Sequence, residues 1–300
     1  MSTLYTQAES NIRKTWFLVT GFLVFIIALG WLFSHLLDSP IVLIIAIIIS
    51  VSMSFGSYWY SDKLVLSKTK AQPIKKEDNP EFFRLVENLC ITAGLPMPKI
   101  YVLPERQPNA FATGRDKDHA VVAVTDGLLG KLERSELEGV IAHELSHIGN
   151  RDMLLQTMVV VLAGTIAIVS NLFLRMSFYG GMGRRNSKGN SGILLLVLGL
   201  AAAILAPIAA SMIRLAISRK REFLADADGA LLTRYPEGLA RALEKISSDT
   251  TPIRRADNST AHLFIASPFR GKQSKSWFTR LYMTHPPIEE RVKALRGMKV

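Results

Sequence analysis

Four long apolar segments constrain the fold of this 300-residue chain more than any other feature of its sequence. None of them contains Asp, Glu, Lys or Arg, and each has about 20 residues or more, enough to cross a hydrocarbon core of about 30 Å as a helix. The segments are Trp16–Leu37, Pro40–Tyr60, Met153–Leu174 and Ile193–Ile213. We therefore expect four apolar membrane helices, the last kinked at Pro207. The alternative is that the last two segments are buried helices of a soluble core.

Basic residues flank the first two segments on one side only. Arg13 and Lys14 precede the first segment, lysines follow the second between positions 63 and 76, and no Lys or Arg lies between the two. The positive-inside rule then places the N-terminus and the region after Tyr60 in the cytoplasm. We interpret the first segment as an uncleaved anchor, because it is longer than the apolar region of a signal peptide and a second span follows at once.

The last two segments bring two rules into conflict. Their connector carries Arg175, Arg184, Arg185 and Lys188, which the positive-inside rule would keep in the cytoplasm. Both segments are nevertheless long enough to cross, and an uncharged helix lacks the polar face that an interfacial helix needs. We expect both to cross the membrane.

The net charge of +11 does not indicate a nucleic-acid partner. The basic residues cluster beside the apolar segments, where lipid headgroups and topology account for them, so the lipid bilayer is the expected partner. ATP is not expected either, because the Gly-rich stretch 180–192 contains no Gly-Lys-Ser/Thr and follows no predicted strand. The single cysteine, Cys90, cannot form an intramolecular disulfide and is expected to be a core residue in a reducing compartment.

The stretch His143–His147, His-Glu-Leu-Ser-His, places two imidazoles one helical turn apart with a carboxylate between them. Side chains at i and i+4 lie about 6 Å apart on one helix face, so both rings can reach one zinc ion at about 2.0–2.1 Å. Glu144 is rotated by roughly 100° from this face, which suits a general base and not a ligand. We predict a helix here, with a capping box formed by Ser135 and Glu138. The alternative is a helix surface whose histidines bind nothing.

A catalytic zinc usually has a third protein ligand. Glu222 and Asp226 stand four residues apart in the stretch Arg-Glu-Phe-Leu-Ala-Asp, so one carboxylate can bind the metal while the other orients a ligating histidine. Taken alone the signal is weak, because acidic side chains on a helix more often form a solvated face.

The remaining sequence predicts a soluble part on both sides of the last two apolar segments. Helical spacing and turn signals predict helices at Glu81–Ala93, Arg219–Leu232 and Glu237–Ser247. Strands are predicted at Lys99–Leu103, Ala110–Thr113 and Ala120–Thr125. We divide the chain into a two-helix anchor (1–60), a first catalytic part (61–152), a transmembrane hairpin (153–213) and a second catalytic part with the third ligand (214–300).

Together these stretches resemble the HtpX-type heat-shock membrane metalloproteases, which share a gluzincin superfamily with the prenyl-protein endopeptidases. The resemblance covers essentially the whole chain, and two of the apolar segments lie between the stretch that begins at His143 and the stretch that contains Glu222. Further matching stretches are 107–114 (Gln-Pro-Asn-Ala-Phe-Ala-Thr-Gly), 149–152 (Gly-Asn-Arg-Asp) and 284–287 (Thr-His-Pro-Pro). The resemblance implies a mainly α-helical membrane protein with an α+β, zincin-like metalloprotease domain that contains a small β-sheet.

The resemblance also implies a role for each site residue. His143, His147 and Glu222 would bind one zinc ion per chain, Glu144 would be the catalytic acid/base, and Asp226 would orient a ligand. Asn109 and Ala110 would form the substrate-binding edge of the sheet. His285 matches a histidine near the metal, which we consider as a catalytic donor to the developing negative charge. A turn histidine without a catalytic role is the alternative for His285.

The function implied is that of a zinc-dependent endopeptidase of the bacterial cytoplasmic membrane, multi-pass and with its active site facing the cytoplasm. Its substrates would be misfolded or damaged membrane proteins, or other unfolded polypeptides, in a stress response. The alternatives are a prenyl-protein-processing endopeptidase and a non-catalytic metal-binding membrane scaffold. The prenyl-processing relatives use more than four spans, and a scaffold gains nothing from a general base, so we favour the first function.

Overall fold

The protein is mainly helical and has one small β-sheet. In this computed structural model the described residues are 4–36, 38–182, 219–251, 263–266 and 286–298. The helices among them are α1 (Leu4–Leu36), α2 (Pro40–Thr69), α3 (Pro80–Ala93), α4 (Asp126–Lys131), α5 (Arg134–Gly149), α6 (Asp152–Met182), α7 (Arg219–Thr233), α8 (Pro236–Ser248) and α9 (Ile288–Arg296). The strands are β1 (Gln72–Pro73), β2 (Lys99–Leu103), β3 (Ala110–Gly114) and β4 (Ala120–Thr125).

Most predicted elements of the soluble part lie within one or two residues of their expected positions. The Asn79 side chain caps α3 by accepting the Phe82 N–H, and the helix ends at Gly94, whose φ is +64°. Cys90 is buried in the core, as expected. The elements β1, α4 and α9 were not predicted, because such short stretches show too little periodicity.

The start of α5 differs from the prediction. The capping box is formed by Glu133 and Glu136, and not by Ser135 and Glu138. The Glu133 N–H donates to the Glu136 carboxylate at 2.9 Å. Because α4 has already ended at Lys131, Glu133 is the residue with extended backbone from which the chain turns into α5. The helix therefore begins two residues earlier than predicted.

The sheet is mixed and has β3 at one edge. Its order is β1-β2-β4-β3, in which β4 runs parallel to β2 and antiparallel to β3. Valine-rich β4 is buried along its whole length, as expected for a strand with neighbours on both sides. The edge strand β3 packs against α5 and α6, so the sheet edge lies beside the helix that carries the two histidines.

Helices α1 and α2 contain the first two apolar segments and are long and apolar enough to cross a membrane. Their apolar windows, Glu9–His35 and Pro40–Tyr60, have mean hydropathies of 2.4 and 2.3. Only 28% and 17% of these windows are buried inside the protein, and Phe17, for example, is 75% exposed. A helix in a soluble core would be mostly buried, so lipid is the surrounding that fits this apolar surface.

Of the four apolar helices that we expect to span the membrane, two within the described residues, α1 and α2, are long and apolar enough to do so. The third segment lies in α6, whose first part, Asp152–Ile166, is a shorter apolar helix packed against α1, α2 and β3. The fourth segment, Ile193–Ile213, lies outside the described residues. The predicted domain boundaries stay predictions, and α2 continues past the boundary at residue 60 to Thr69.

Helix α5 is central to the main core, where it packs against α3, α7, α8 and the sheet. The contact with α8 is close at Gly139, because a Cβ atom there would lie 2.7 Å from the main-chain nitrogen of Leu239. Only a residue without a side chain allows the two helices to approach this far.

We expect Gly139→Ala to lower the free energy of unfolding by about 1–3 kcal/mol, because the added methyl group has to push two backbones apart. The measurement is denaturant or thermal unfolding in detergent. Gly130→Ala is the matched control, since this exposed glycine in α4 has open space around its Cβ position. Equal stability of the two variants would contradict the close packing of α5 on α8.

Candidate metal centre

His143, Glu144 and His147 lie on the buried side of α5. The three residues are 1%, 2% and 5% exposed, respectively. The Nε2 atoms of the two histidines are 3.2 Å apart, so both rings point to the same place. This is the arrangement expected of residues four apart on a helix.

Helix α7 brings Glu222 to both histidines. It can approach α5 because Gly229 has no side chain, and a Cβ atom there would lie 3.0 Å from the main-chain nitrogen of His143. The Glu222 carboxylate lies 3.9 Å from His143 Nε2 and 3.7 Å from His147 Nε2. The three groups are buried, and one ligand atom from each lies within 4.8 Å of the others. The structure therefore brings the three predicted ligands together.

The other ring nitrogen of each histidine contacts a carboxylate. His143 Nδ1 lies 2.9 Å from Asp226 Oδ1, and His147 Nδ1 lies 3.1 Å from Asp152 Oδ2. A carboxylate at this position accepts the Nδ1–H, which leaves the lone pair on Nε2 facing the centre. Asp226 was expected to orient a ligand, whereas Asp152 was not.

This donor set fits a divalent transition metal. Two imidazole nitrogens and one carboxylate oxygen are a common ligand set of catalytic zinc, which keeps a further position open. The two imidazole Nε2 atoms lie 3.2 Å apart, and the carboxylate oxygens of Glu222 lie 3.7 and 3.9 Å from them. Two ligand atoms at such distances can both bind one ion through bonds of about 2.0–2.2 Å. The separations from the carboxylate are too long for direct hydrogen bonds.

Arg291 of α9 holds Asp226 through two hydrogen bonds. Its Nε and Nη2 donate to the two carboxylate oxygens at 2.8 and 2.6 Å, and both side chains are fully buried. Burial raises the pKa of Asp226, but the charge and hydrogen bonds of Arg291 outweigh it and lower the pKa to about 2. Asp226 thus stays ionised at neutral pH and can accept the Nδ1–H of His143.

The two histidines differ in basicity. Burial lowers the pKa of His143, although Asp226 opposes this change. Burial also disfavours the charged form of His147, but its hydrogen bond with Asp152 and the charge of Glu222 raise its pKa to about 9. Because a proton and a metal ion compete for the same nitrogen, metal affinity at this centre should fall as the pH falls.

Glu144 lies between the metal-binding face of α5 and strand β3. Burial and, to a lesser degree, the charge of Glu222 raise its pKa to about 7, although His147 and a hydrogen bond from the Ala112 N–H lower it in part. A carboxyl group with a pKa near neutrality can both take up and release a proton at physiological pH.

Asn109 and Ala110 are buried and hydrogen-bonded to another part of the chain, the segment Leu263–Ala266. The Ile265 N–H donates to the Ala110 carbonyl at 3.0 Å, and Asn109 Nδ2 donates to the Ala266 carbonyl at 3.0 Å. Arg291 Nη1 donates to the Ile265 carbonyl at 3.0 Å. Main-chain groups of the protein itself therefore occupy the edge predicted for substrate.

His285 lies outside the described residues, so its role stays a prediction. Asp152 and Arg291 contact site residues and were missed. Asp152 lies in the matching stretch 149–152, which marked it but gave it no role. Arg291 follows two glutamates in a short polar stretch, and nothing in that pattern indicates a fully buried guanidinium.

Together, the fold and the site define a metallopeptidase with a His-Glu-x-x-His helix and a glutamate on a second helix. The chain belongs to Peptidase family M48, whose sequence pattern matches residues 76–299.

Several relatives carry the name "Protease HtpX homolog". One from Caldanaerobacter subterraneus subsp. tengcongensis is 46% identical over 301 residues, which covers 99% of each chain. One from Pyrococcus furiosus is 49% identical over 256 residues, covering 85% of this chain and 86% of the relative. A crystal structure of S. mikatae Ste24p has a TM-score of 0.49 and 20% identity, covering 97% of this chain and 67% of that one. From the family and the protease relatives, the protein is a membrane metalloprotease, as the sequence resemblance implied.

We expect Glu222→Ala to lose its metal under dialysis, whereas Asp226→Asn keeps it with an affinity lower by about 10–100-fold, because a residue that orients a ligand contributes less than a ligand does. Asparagine is chosen at position 226 because it keeps the size of the side chain and an amide oxygen that can still accept a hydrogen bond from Arg291. The measurement is metal content and affinity by competition with a chelator.

Asp228→Ala is the matched control on the same helix, since Asp228 bonds to Ser146 and Asn150 and to none of the three ligands. It should keep a full equivalent of metal. Stoichiometric, tightly bound metal in Glu222→Ala would show that the third ligand lies elsewhere.

Proposed function

We propose that the metal is zinc, one ion per chain, held by His143, His147 and Glu222. The observation that carries this proposal is the meeting of two imidazole Nε2 atoms and a carboxylate in one buried place, each imidazole being anchored by a further carboxylate. When bound, Zn2+ would act as a Lewis acid toward the scissile carbonyl and favour deprotonation of the attacking water. The function proposed is hydrolysis of peptide bonds.

Glu144 is the proposed acid and base of this reaction. It would take a proton from the attacking water and deliver it to the leaving amine, which a carboxyl group with a pKa of about 7 can do in both directions. The Ala112 N–H bonds to its carboxylate and would keep it directed toward the edge strand. His285 is kept as the proposed donor to the negative charge that develops on the substrate.

Asn109 and Ala110 are the proposed binding edge for the substrate main chain. The binding of Ile265 at this edge supports the assignment. Its N–H donates to the Ala110 carbonyl and its carbonyl accepts from Arg291, and any peptide has the same two main-chain groups. A substrate would take the place of Ile265 at this edge. Recognition of the main chain gives broad sequence specificity.

The proposed location is the bacterial cytoplasmic membrane, with α1 and α2 crossing it and the metal centre on the cytoplasmic side. The apolar surface of α1 and α2 and the lysines that follow Tyr60 support this orientation. The segments 153–174 and 193–213 would form a second transmembrane hairpin. The proposed substrates are misfolded or damaged membrane proteins, whose varied sequences suit an enzyme that reads main-chain groups.

Two alternatives use the same metal centre. A prenyl-protein-processing endopeptidase would need a chamber for the lipid, which the relatives of that type build from more spans. A non-catalytic metal-binding scaffold would have no use for a buried carboxyl group that titrates near neutrality beside the ligands. Proteolysis of polypeptides is therefore the favoured function.

We expect Glu144→Gln to keep its zinc while the rate of peptide hydrolysis falls about 10²-fold or more, because the substitution removes a proton acceptor but no ligand. Metal content and turnover of an unfolded protein substrate are measured together in detergent. Glu138→Gln, a partly exposed acid on the same helix, is the control and should retain full activity. Undiminished turnover in Glu144→Gln would remove Glu144 from the mechanism.

We expect Ile265→Pro to lower KM for an unfolded protein substrate, because proline lacks the N–H that competes with substrate for the Ala110 carbonyl. The expected decrease is about 2- to 10-fold, which corresponds to the free energy of one hydrogen bond. Zinc content and the melting temperature verify that the variant is folded. A higher KM in a folded, zinc-loaded variant would mean that the segment supports the site and does not occupy the substrate edge.

A further inference from the structure

Asn11, on the N-terminal helix α1, lies in a polar cluster directly behind the metal centre. It is only 1% exposed. Its amide nitrogen donates to the main-chain carbonyl of Asn150 at 3.0 Å and to Asp152 Oδ1 at 2.6 Å. Its amide oxygen accepts a hydrogen bond from Arg221 Nη1 at 3.0 Å. Both amide hydrogens are thus used, by partners that lie far from α1 in the sequence.

The partners of Asn11 lead to two of the proposed ligands. The second oxygen of Asp152 lies 3.1 Å from His147 Nδ1, and Arg221 directly precedes Glu222 in α7. Arg221 also approaches Asp152, with 3.4 Å between Nε and Oδ1. One side chain of α1 therefore joins the start of α6, where Asp152 contacts the His147 ring, to the turn of α7 that carries Glu222.

The chemistry of the cluster explains why an amide stands at this position. Its partners are a carbonyl and a carboxylate, which need donors, and a guanidinium, which needs an acceptor. An amide side chain supplies both, whereas a carboxylate would offer no donor and would repel Asp152. With one oxygen of Asp152 held by Asn11, the other is fixed in the direction of the His147 ring.

Apolar packing further along α1 also attaches this helix to the rest of the protein. Apolar side chains further along α1, such as Leu18 and Phe22, pack against Leu154 and Met158 of α6 and hold the two helices together. The buried hydrogen bonds of Asn11 add a polar link between α1 and two residues beside the metal centre, Asp152 and Arg221.

We propose that Asn11 is a positioning residue of the metal centre, so that the N-terminal membrane helix completes the site. It acts through Asp152 on the orientation of the His147 ring. The inference rests on the proposed metal centre and extends it to α1, which the sequence analysis had interpreted as an anchor alone.

The test compares Asn11→Leu and Asn11→Asp with Thr15→Ala in the full-length protein. Thr15 lies one turn further along α1, is equally buried, and its hydroxyl donates only to the main-chain carbonyl of Asn11. The readouts are the rate at which zinc is lost to a chelator and the visible spectrum of the Co2+-substituted protein, which reports ligand geometry.

We expect both Asn11 variants to release zinc about 10–100-fold faster and to alter the Co2+ spectrum, while Thr15→Ala changes neither. Asn11→Asp keeps the size of the side chain and its bond to Arg221, so it decides the matter if Asn11→Leu does not fold. A folded Asn11→Asp variant with the wild-type release rate and spectrum would overturn the proposal. Failure of the wild-type protein to bind zinc would instead overturn the proposed metal centre.

Discussion

The buried ion pair between Arg291 and Asp226 is the interaction on which the rest of the centre depends. Its two hydrogen bonds join helix α9 to α7 and keep Asp226 ionised although its side chain is fully buried. An ionised Asp226 fixes the ring of His143, and the guanidinium of Arg291 also donates to the Ile265 carbonyl beside β3. Removing either partner would deprive the other buried charge of its hydrogen-bonded counter-charge, at a cost of about 3–5 kcal/mol.

The charges around the centre are consistent with a divalent cation. The buried carboxylates are Glu144, Asp152, Glu222 and Asp226, and the buried guanidinium groups are Arg221 and Arg291. With neutral histidines these groups carry two more negative than positive charges. The neighbouring negative charges contribute to the raised pKa values here: Glu222 adds to the effect of burial on Glu144, and Asp152 and Glu222 together raise the pKa of His147. A bound Zn2+ ion would balance this charge.

The local sequence pattern was enough to predict the site residues that lie on one helix, α5. It gave little information about the residues that other elements contribute. Spacing on α5 is enough to place His143 and His147 on one face, even though the start of the helix was predicted two residues too late. The pairing with Glu222 needed the family resemblance, because Glu and Asp on a helix usually face solvent. Asp152 and Asn11 lie more than 100 residues apart and meet only in the folded chain. The segment Leu263–Ala266 has no recognisable pattern and is nevertheless buried.

In the proposed centre, two histidines and one glutamate share one metal ion. The single cysteine, Cys90, is not a ligand. Zinc K-edge X-ray absorption of the purified protein in detergent measures this directly. The structure predicts only nitrogen and oxygen neighbours at about 2.0–2.2 Å, with the outer-shell scattering of two imidazoles. A sulfur neighbour, or a spectrum with fewer than two imidazoles in the wild-type protein, would contradict it.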